Sequence, residues 1–349
     1  MLFEKRNVTS RKAKQLKKLL SLVDPRSRPN THALNAIVNR IDSLSLTVKF
    51  FGYELARTMA AALPPCEEVP VQSTVLGWKP STQDDIESDW VAHWCWQFKM
   101  ARIYHRKVWE IAYVMQGIHN HGSLRPGARG LGFGCGSEPI PSYLASRGVD
   151  VTVTDQPPQV GQEQGWKNTA QYATSLDALY HDFLAERADF DAHVSLRYVD
   201  MNAINADLVD YDFCWSVCAF EHLGSIERGL AFIENSLATV RPGGLSIHTT
   251  EFNFANDDET LDNWVTVLFQ KRHFEQLADR LRARGHTVTT LDFNVGHKPL
   301  DKFIDVPPYL YDLANEQMKA WQDDGTPHMK MTIDGFASTC FGLLVQRAG

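Results

Sequence analysis

Three glycines at alternate positions, Gly132, Gly134 and Gly136 in the segment GLGFGCGSEP, are the residues whose types and spacing most clearly indicate chemistry. Short apolar residues precede them and an amphipathic stretch follows, which predicts a strand, a sharp turn and a helix. Glycine lets the backbone turn tightly and approach a ligand with no Cβ in the way. Asp155 ends the next predicted strand about 20 residues later, where a carboxylate accepts hydrogen bonds from ribose hydroxyls. The segment therefore predicts a site for a cofactor that contains adenosine.

The residues that begin the helix distinguish between two cofactors of this kind. The spacing is GxGxG, and Ser137 stands where the dinucleotide motif GxGxxG has its last glycine. A pyrophosphate prefers free amide groups at a helix N-terminus, whereas Glu138 adds a negative charge there and Pro139 lacks an N–H. S-adenosylmethionine (SAM) carries a cationic ammonium beside its sulfonium. The sequence therefore favours SAM over NAD.

Three further segments resemble class I SAM-dependent methyltransferases. They are YVDM at 198–201, EHL at 221–223 after the fourth predicted strand, and RPGG at 241–244, where a glycine cap and tight turn return the chain to the sheet. The resemblance covers about 125–295 and extends towards residue 349. The chain is similar to bacterial methyltransferases associated with glycan or small-molecule modification, through HRKVWE at 105–110 and GLGFGCGSEP.

The resemblance implies which residues bind the cofactor, with Asp200 accepting from the adenine amino group. One position departs from the family: Gly130 stands two residues before the first glycine, where an acidic residue is common, and Glu138 is the candidate replacement. The predicted cofactor-binding residues are Gly132, Phe133, Gly134, Gly136, Glu138, Asp155, Asp200 and Met201.

Methyl transfer from a sulfonium mainly requires that the acceptor be positioned and water excluded. A general base is needed only when the acceptor holds its proton tightly, as a sugar hydroxyl does. Ligands bind at the carboxyl ends of strands in open α/β sheets, which predicts His222, Glu251 and Glu221 as catalytic candidates. Glu221 and His222 could equally shape the cofactor pocket. His248 lies within a strand and is predicted to be a hydrogen-bonded core residue, and no metal site is predicted.

Apolar runs that alternate with amphipathic helices predict an α/β fold: a Rossmann-like methyltransferase sheet, mostly parallel with an antiparallel last strand, preceded by a helical region. Residues 1–120 are predicted as an N-terminal helical region that serves as a lid, a dimerisation arm or a docking module. Residues 121–349 are predicted as the SAM-binding domain, with a lid-like insertion at about 295–335. Strands are predicted near 129–134, 150–155, 195–199, 211–217, 244–251, 286–293 and 339–347, and helices near 31–63, 86–119, 138–147, 168–186, 226–240 and 270–284.

The composition narrows the partners and the compartment. The net charge of −7 opposes nucleic-acid binding by broad phosphate neutralisation. Six scattered cysteines without a CxxC pair suit reduced thiols in a cytoplasmic protein, and no apolar run is long enough for a membrane span. The expected partners are a small-molecule or glycan acceptor and a second copy bound through the N-terminal helices. Two alternatives stay open: an NAD(P)-dependent oxidoreductase, and a non-catalytic interaction protein that retains the fold.

Overall fold

A computed structural model describes residues 21–24, 26, 28–156, 175–309, 316–322 and 327–349, with side chains from residue 319 onwards in the 316–322 segment. The chain forms two compact units, Met1–Glu54 and Leu55–Gly349. Helix α1 (Thr31–Ala61) runs across this boundary, in agreement with the helix predicted at 31–63. The predicted helical region 1–120 therefore spans both units, and its role stays a prediction.

The second predicted helical stretch, 86–119, is three helices: α2 (Gln83–Glu87), α3 (Asp89–Gln97) and α4 (Arg106–Asn120). Ser88 separates the first two because its extended backbone ends α2, while its hydroxyl accepts from the Val91 N–H at 3.5 Å and caps α3. Lys99, with φ of 51°, then turns the chain away after α3. The expectation of one continuous helix was wrong because apolar periodicity continues through these breaks.

The sheet confirms the predicted fold class. Its strands are β1 (Lys79–Pro80), β2 (Arg129–Phe133), β3 (Asp150–Asp155), β4 (Val194–Tyr198), β5 (Tyr211–Val217), β6 (Val240–Asn253), β7 (Thr287–Val288), β8 (Lys330–Ile333) and β9 (Phe336–Gln346). They lie in the order β1-β9-β6-β5-β2-β3-β4, and β7 and β8 both pair with β9. Strands β2 to β6 are mutually parallel, whereas β9 runs antiparallel to β6. This is a mostly parallel sheet with an antiparallel last strand.

The remaining helices are α5 (Ile140–Ala145), α6 (Arg187–His193), α7 (Ile226–Ser236), α8 (Lys271–Ala283) and α9 (Glu316–Trp321). Short 3₁₀ turns lie at Leu176–Leu179, Phe220–His222 and Pro299–Asp301. The helix predicted at 168–186 falls partly outside the described residues, and its described part contains only the 3₁₀ turn. Helix α7 ends at Ser236, and the RPGG segment lies at the start of β6 with Gly243 at φ 77°.

Two apolar clusters lie among the helices and the sheet. Aromatic residues of α3 and α4, including Trp94 and Trp109, belong to one cluster, and α7 and α8 contribute to the other. The Trp109 Nε1–H donates to Asp85 Oδ2 at 2.8 Å, so this indole is both buried and hydrogen-bonded. Helix α4 is thereby fixed in the same unit as the sheet, which places its first turn at the site described next. In the described part of the chain, no helix combines the length and apolarity needed to cross a bilayer.

Candidate cofactor and acceptor site

A cavity of about 320 Å³ lies at the carboxyl ends of the parallel strands. This is the edge where open α/β sheets bind ligands, and the volume falls within the range of small-molecule sites. Its wall combines the loop after β2, the ends of β3 and β5, the segment after β4, and the first turns of α4. The lining residues are Lys107, Ile111, 134–139, Asp155, Gln156, Val199, Met201, 217–219, His222 and Leu223.

The glycine loop and Asp155 form one hydrogen-bonded rim of this cavity. Gly134 and Gly136 have φ of 59° and 52°, and a Cβ on Gly134 would lie 2.9 Å from the Ala219 Cβ. The Gly136 N–H donates to Asp155 Oδ2 at 3.2 Å, and the Gln156 N–H donates to Oδ1 at 2.8 Å. The carboxylate is therefore held beside the loop, as the sequence predicted from the spacing.

Aromatic rings from β5 explain why β2 carries no acidic residue. A Cβ on Gly130 would lie 2.5 Å from Phe213 Cζ, and one on Gly132 would lie 2.5 Å from Trp215 Cζ2. Real Cβ atoms do not approach other atoms this closely, so larger residues at 130 and 132 would collide with these rings. An acidic residue is common at position 130 in the resembling family. Here the Phe213 ring fills the space that such a side chain would occupy.

Glu138 brings a carboxyl group to the cavity from the opposite direction, at the start of α5. The Trp215 Nε1–H donates to Glu138 Oε1 at 2.6 Å. Burial raises the pKa of Glu138 to about 8, and the Trp215 hydrogen bond and the Lys107 charge only partly oppose this rise. The carboxyl is mostly protonated at pH 7 and would ionise beside a cationic ligand.

Three of the predicted cofactor residues do not line the cavity. Gly132 lies in β2, and Phe133 is fully buried with its ring 5.1 Å from that of Phe232. Asp200 is exposed, and its Oδ1 accepts from the Asn202 N–H at 2.8 Å, while its neighbours Val199 and Met201 line the cavity. Gly132 makes room for Trp215 and Phe133 packs in the core, and their role in cofactor binding stays a prediction. The adenine contact of Asp200 stays a prediction.

An ionic cluster adjoins the cavity, with Lys107 in the cavity wall and three buried carboxylates behind it; its members are Arg106, Lys107, Glu110, Glu221 and Glu251. Arg106 pairs with Glu251, and Lys107 Nζ lies 3.0 Å from Glu110 Oε2. Burial works to raise the pKa of Glu110, but the charges of Lys107 and Arg106 outweigh it and lower the pKa to about 2. Three carboxylates thus face two permanent cations.

His222 is the one predicted catalytic residue that lines the cavity. Its Nδ1 lies 2.9 Å from the Val265 carbonyl oxygen, which can only accept, so Nδ1 donates and Nε2 carries the lone pair of the neutral ring. Nε2 lies 4.0 Å from Glu221 Oε1. Burial lowers the pKa of His222, which keeps the imidazole neutral at pH 7.

Glu221 and Glu251 are buried and lie outside the cavity lining. Glu221 Oε2 accepts from the Thr250 hydroxyl at 3.0 Å, and Glu251 Oε2 accepts from the Ser338 hydroxyl at 2.7 Å. Each carboxylate is held behind the cavity wall, and the catalytic roles predicted for Glu221 and Glu251 stay predictions. Through His222 and Arg106 they can still act on the site electrostatically.

His248 is a core residue, as the sequence predicted. It is fully buried, with Nδ1 2.7 Å from the Ser216 hydroxyl and Nε2 2.7 Å from the Ser246 hydroxyl. Burial lowers its pKa to about 3, so it stays neutral. Its two ring nitrogens are both satisfied within the core.

Among the described residues, two sets of side chains lie close enough to suit a metal ion: Glu110 with Cys218 and Cys340, and Cys218 with Glu221 and Glu251. Within each set the potential ligand atoms lie within 4.8 Å of one another. Lys107 and Arg106 already neutralise two of these carboxylates, which lowers the electrostatic gain from a cation. The absence of a metal site stays a prediction.

Several lining residues were not predicted from the sequence, among them Ile111, Cys218 and Lys107. Cys218 follows β5 directly and has φ of 46°, and its position after a predicted strand was the available signal. Lys107 reaches the cavity because α4 packs against the sheet. No motif in the sequence indicates that contact.

Comparisons with known proteins found similarity among solved structures. No protein-family model matches the chain. No curated protein matches it either. Among solved structures, the chain is similar to one from Galdieria sulphuraria named as a sarcosine dimethylglycine methyltransferase, with 15% identity over 75% of this chain and 99% of that one and a TM-score of 0.43.

Two further solved structures share this likeness. The methyltransferase domain of bacterial CtHen1 has 17% identity over 67% of this chain and 95% of that one, with a TM-score of 0.38. The cyclase SpnF has 13% identity over 87% and 96%, with a TM-score of 0.42. The mostly parallel sheet with an antiparallel last strand agrees with the expectation drawn from the sequence. Because a fold does not determine a reaction, the reaction is argued from the site.

Proposed function

We propose that the protein is a SAM-dependent methyltransferase that transfers a methyl group to an oxygen or nitrogen of a small-molecule or glycan acceptor. The observation that supports this most is the combination, in one cavity, of the glycine loop, Asp155 and the enclosed Glu138 carboxyl. The glycine loop and Asp155 suit a nucleoside, and the Glu138 carboxyl suits a cationic group, so one cavity offers a place for both. NAD would instead place its pyrophosphate against Glu138 and Pro139.

The residues present fit SAM. The cradle at Gly134 would be filled by a Cβ, and Glu138 is an enclosed carboxyl whose ionisation needs a cation. In this proposal Asp155 binds the ribose hydroxyls, Glu138 the ammonium and Lys107 the carboxylate, while Met201 and Leu223 contact the adenine. SAM supplies a methyl group that is already activated by its sulfonium.

His222 is proposed as the general base that accepts the acceptor's proton at Nε2. Protonation adds a third cation next to the ionic cluster, where Glu221 lies 4.0 Å away. The carboxylate would stabilise the imidazolium, while the Val265 carbonyl keeps the ring in the correct tautomer. Glu221 is thus proposed as a positioning residue.

The loop between β6 and α8 supports a hydroxyl-rich acceptor. Trp264 is 56% exposed and adjoins Val265, whose carbonyl binds His222 at the cavity. The loop is anchored by the Val267 N–H, which donates to the Glu221 carbonyl at 2.9 Å, and by Asp262 Oδ1, which accepts from the Ile226 N–H at 2.8 Å. Large aromatic side chains left exposed on an anchored loop are common at binding sites. The neighbouring carboxylates of 257–259 are exposed acceptors for hydroxyl groups.

Calorimetric titration of the full chain with SAM, S-adenosylhomocysteine and NAD tests the proposal. We expect micromolar binding of the first two ligands, and loss of that binding in Asp155→Ala. Asp150→Ala is the matched control, because Asp150 is an exposed carboxylate at the other end of β3 and should leave binding unchanged. NAD binding would instead support the oxidoreductase, and no nucleotide binding at all would support the interaction protein.

Acceptors can then be identified with SAM that carries a labelled methyl group. Transfer to methyl glycosides, but not to matched deoxy analogues, would support the glycan reading. Transfer only to apolar amines would contradict the role given to the exposed loop.

A further inference from the structure

Hydrogen bonds hold the connector between α1 and β1 at one residue before Cys66 and one residue after it. Arg102 donates through its guanidinium to the Pro64 carbonyl at 2.6 Å. His93 Nδ1 lies 2.8 Å from the Val69 carbonyl oxygen, to which it donates. Cys66 is therefore held between two anchors, and the second anchor is on α3, two residues from Cys95.

These two cysteines line the same cavity, of about 580 Å³, whose lining residues are all different from those of the cofactor cavity. Cys95 is 1% exposed, whereas Cys66 is half-buried, and both are free thiols. The neighbouring Cys95 thiol and the Arg102 charge lower the pKa of Cys66 to about 6. The Cys66 thiol and burial raise the pKa of Cys95. One thiol is thus accessible and ionised at neutral pH while its neighbour keeps its proton.

We propose that Cys66 and Cys95 form an oxidant-reactive pair, in which Cys66 is the nucleophile and Cys95 the resolving thiol. The Cys66 thiolate attacks one oxygen of hydrogen peroxide, the O–O bond breaks, and the sulfenic acid forms with release of hydroxide, which takes up a proton as water. The Cys95 sulfur then attacks the Cys66 sulfur, a second water leaves, and a disulfide remains. Two thiols are oxidised by two electrons, and one peroxide is reduced to two waters.

The anchors explain why this pair should close easily. Because the main chain at 64 and 69 is already fixed to Arg102 and His93, Cys66 is held at the cavity that Cys95 also lines, and little reordering is required. Cys218 and Cys340 also lie close together, with their sulfurs within 4.8 Å, but that pair lacks an accessible thiol of lowered pKa. Cys135, Cys214 and Cys340 are buried, and burial is the largest cause that raises the pKa of Cys218, the other half-buried thiol.

Competitive alkylation of the reduced full chain tests the first part. With limiting iodoacetamide at pH 7, we expect Cys66 to be modified about tenfold faster than Cys218, since the thiolate is the reacting form. The rate at Cys66 should rise with pH around a midpoint near 6, as read from peptide masses. Equal rates at Cys66 and Cys218 would overturn the proposal.

Peroxide treatment tests the second part. The wild-type chain should lose two hydrogens in a peptide that links Cys66 to Cys95, and a thiol reductant should reverse this. Cys95→Ser should instead accumulate a sulfenic acid at Cys66, which dimedone traps, whereas Cys66→Ser should leave Cys95 unmodified. A trapped sulfenic acid in the wild type without the linked peptide would overturn the role of Cys95. Both variants lie outside the cofactor cavity, so SAM binding should be unchanged in them and serves to confirm that they fold.

Discussion

At the scale of single residues, the ionisation of Glu138 has opposite effects on the stability of the ligand-free protein and on the binding of a cationic ligand. Its pKa is about 8 in the folded chain and near the ordinary 4.5 when unfolded. The unfolded state therefore loses its proton first as pH rises, and the free energy of unfolding decreases between pH 4.5 and about 8. The favourable contribution of the neutral carboxyl is fully present below pH 4.5 and is lost as pH rises through 8. A bound ammonium would reverse this by stabilising the carboxylate.

Glu138→Gln should stabilise the ligand-free protein at pH 8 and weaken the binding of SAM. The amide keeps the shape and avoids the buried charge, so the Tm should rise by roughly 2–4 °C for each kcal/mol gained. SAM affinity of the wild type should increase with pH from 6 to 8, by up to about tenfold per unit, because binding releases one proton. The variant should bind weakly and without this slope. Scanning calorimetry and titration at several pH values measure both effects, with the exposed Glu227→Gln as control; an unchanged Tm together with an unchanged SAM affinity would contradict the role of Glu138.

His222→Asn should separate chemistry from cofactor binding. Loss of a general base lowers kcat by roughly 10²–10⁴ for a hydroxyl acceptor. The affinity for S-adenosylhomocysteine should stay within about twofold, because the base is assigned to the acceptor. Single-turnover rates with a hydroxyl acceptor check this against His193→Asn, a histidine outside the cavity. Near-normal rates in His222→Asn would leave this residue with a role in pocket shape alone.

The site was predictable from sequence only where one local segment carries the whole feature. The glycine loop and Asp155 follow from spacing within about 20 residues. Lys107, by contrast, reaches the cavity only through the packing of α4. The burial of Glu221 and Glu251 could not be predicted from their positions after strands either. Hydrogen bonds to Thr250 and Ser338 fix the direction of their side chains.

At the scale of elements, β2 and β5 are matched through glycine and aromatic rings. Gly130 lies against Phe213, so the two positions are coupled in space. The absence of an acidic residue at 130 and the presence of an aromatic ring at 213 are therefore one structural feature.

Gly130→Ala should destabilise the protein by about 1–3 kcal/mol, the usual cost of overpacking a core. Phe213→Ala should also destabilise it, by leaving a cavity of its own. In the double variant the new methyl group occupies space that Phe213 has vacated, so the combined loss should be smaller than the sum. Urea unfolding of the four proteins measures the coupling, and strict additivity would show that the two positions are independent.

Elements were predicted well where an apolar run was long and poorly where pairing alone defines them. Strand β5 is buried at every position, and valine and threonine alternate along β3, so both strands are visible in the sequence. Strand β1 has only two residues, one of them Pro80, and it forms because β9 is beside it. Such a strand leaves no periodic pattern, which is why the sequence did not indicate it.

At the scale of the whole molecule, cofactor binding and folding should be linked. S-adenosylhomocysteine that binds only the folded chain should add about 2.7 kcal/mol to the free energy of unfolding at a concentration one hundred times its Kd. Thermal unfolding with increasing ligand checks this, and Asp155→Ala should show no such increase. A Tm that is independent of ligand in the wild type would contradict a SAM site in the folded protein.

The attachment of β1 to β9 also bears on how the protein is made. Lys79 lies opposite Gly342, and the Trp78 Nε1–H donates to the Leu344 carbonyl at 2.7 Å. Strand β9 lies between β1 and β6 in the sheet. The helices that follow β1 in the chain therefore leave the ribosome long before β9 has been synthesised. The helix that carries Lys107 packs against β9 and can gain its full support only when β9 has been translated. A nascent chain whose glycine loop is already formed would therefore complete its site only after β9 has been made.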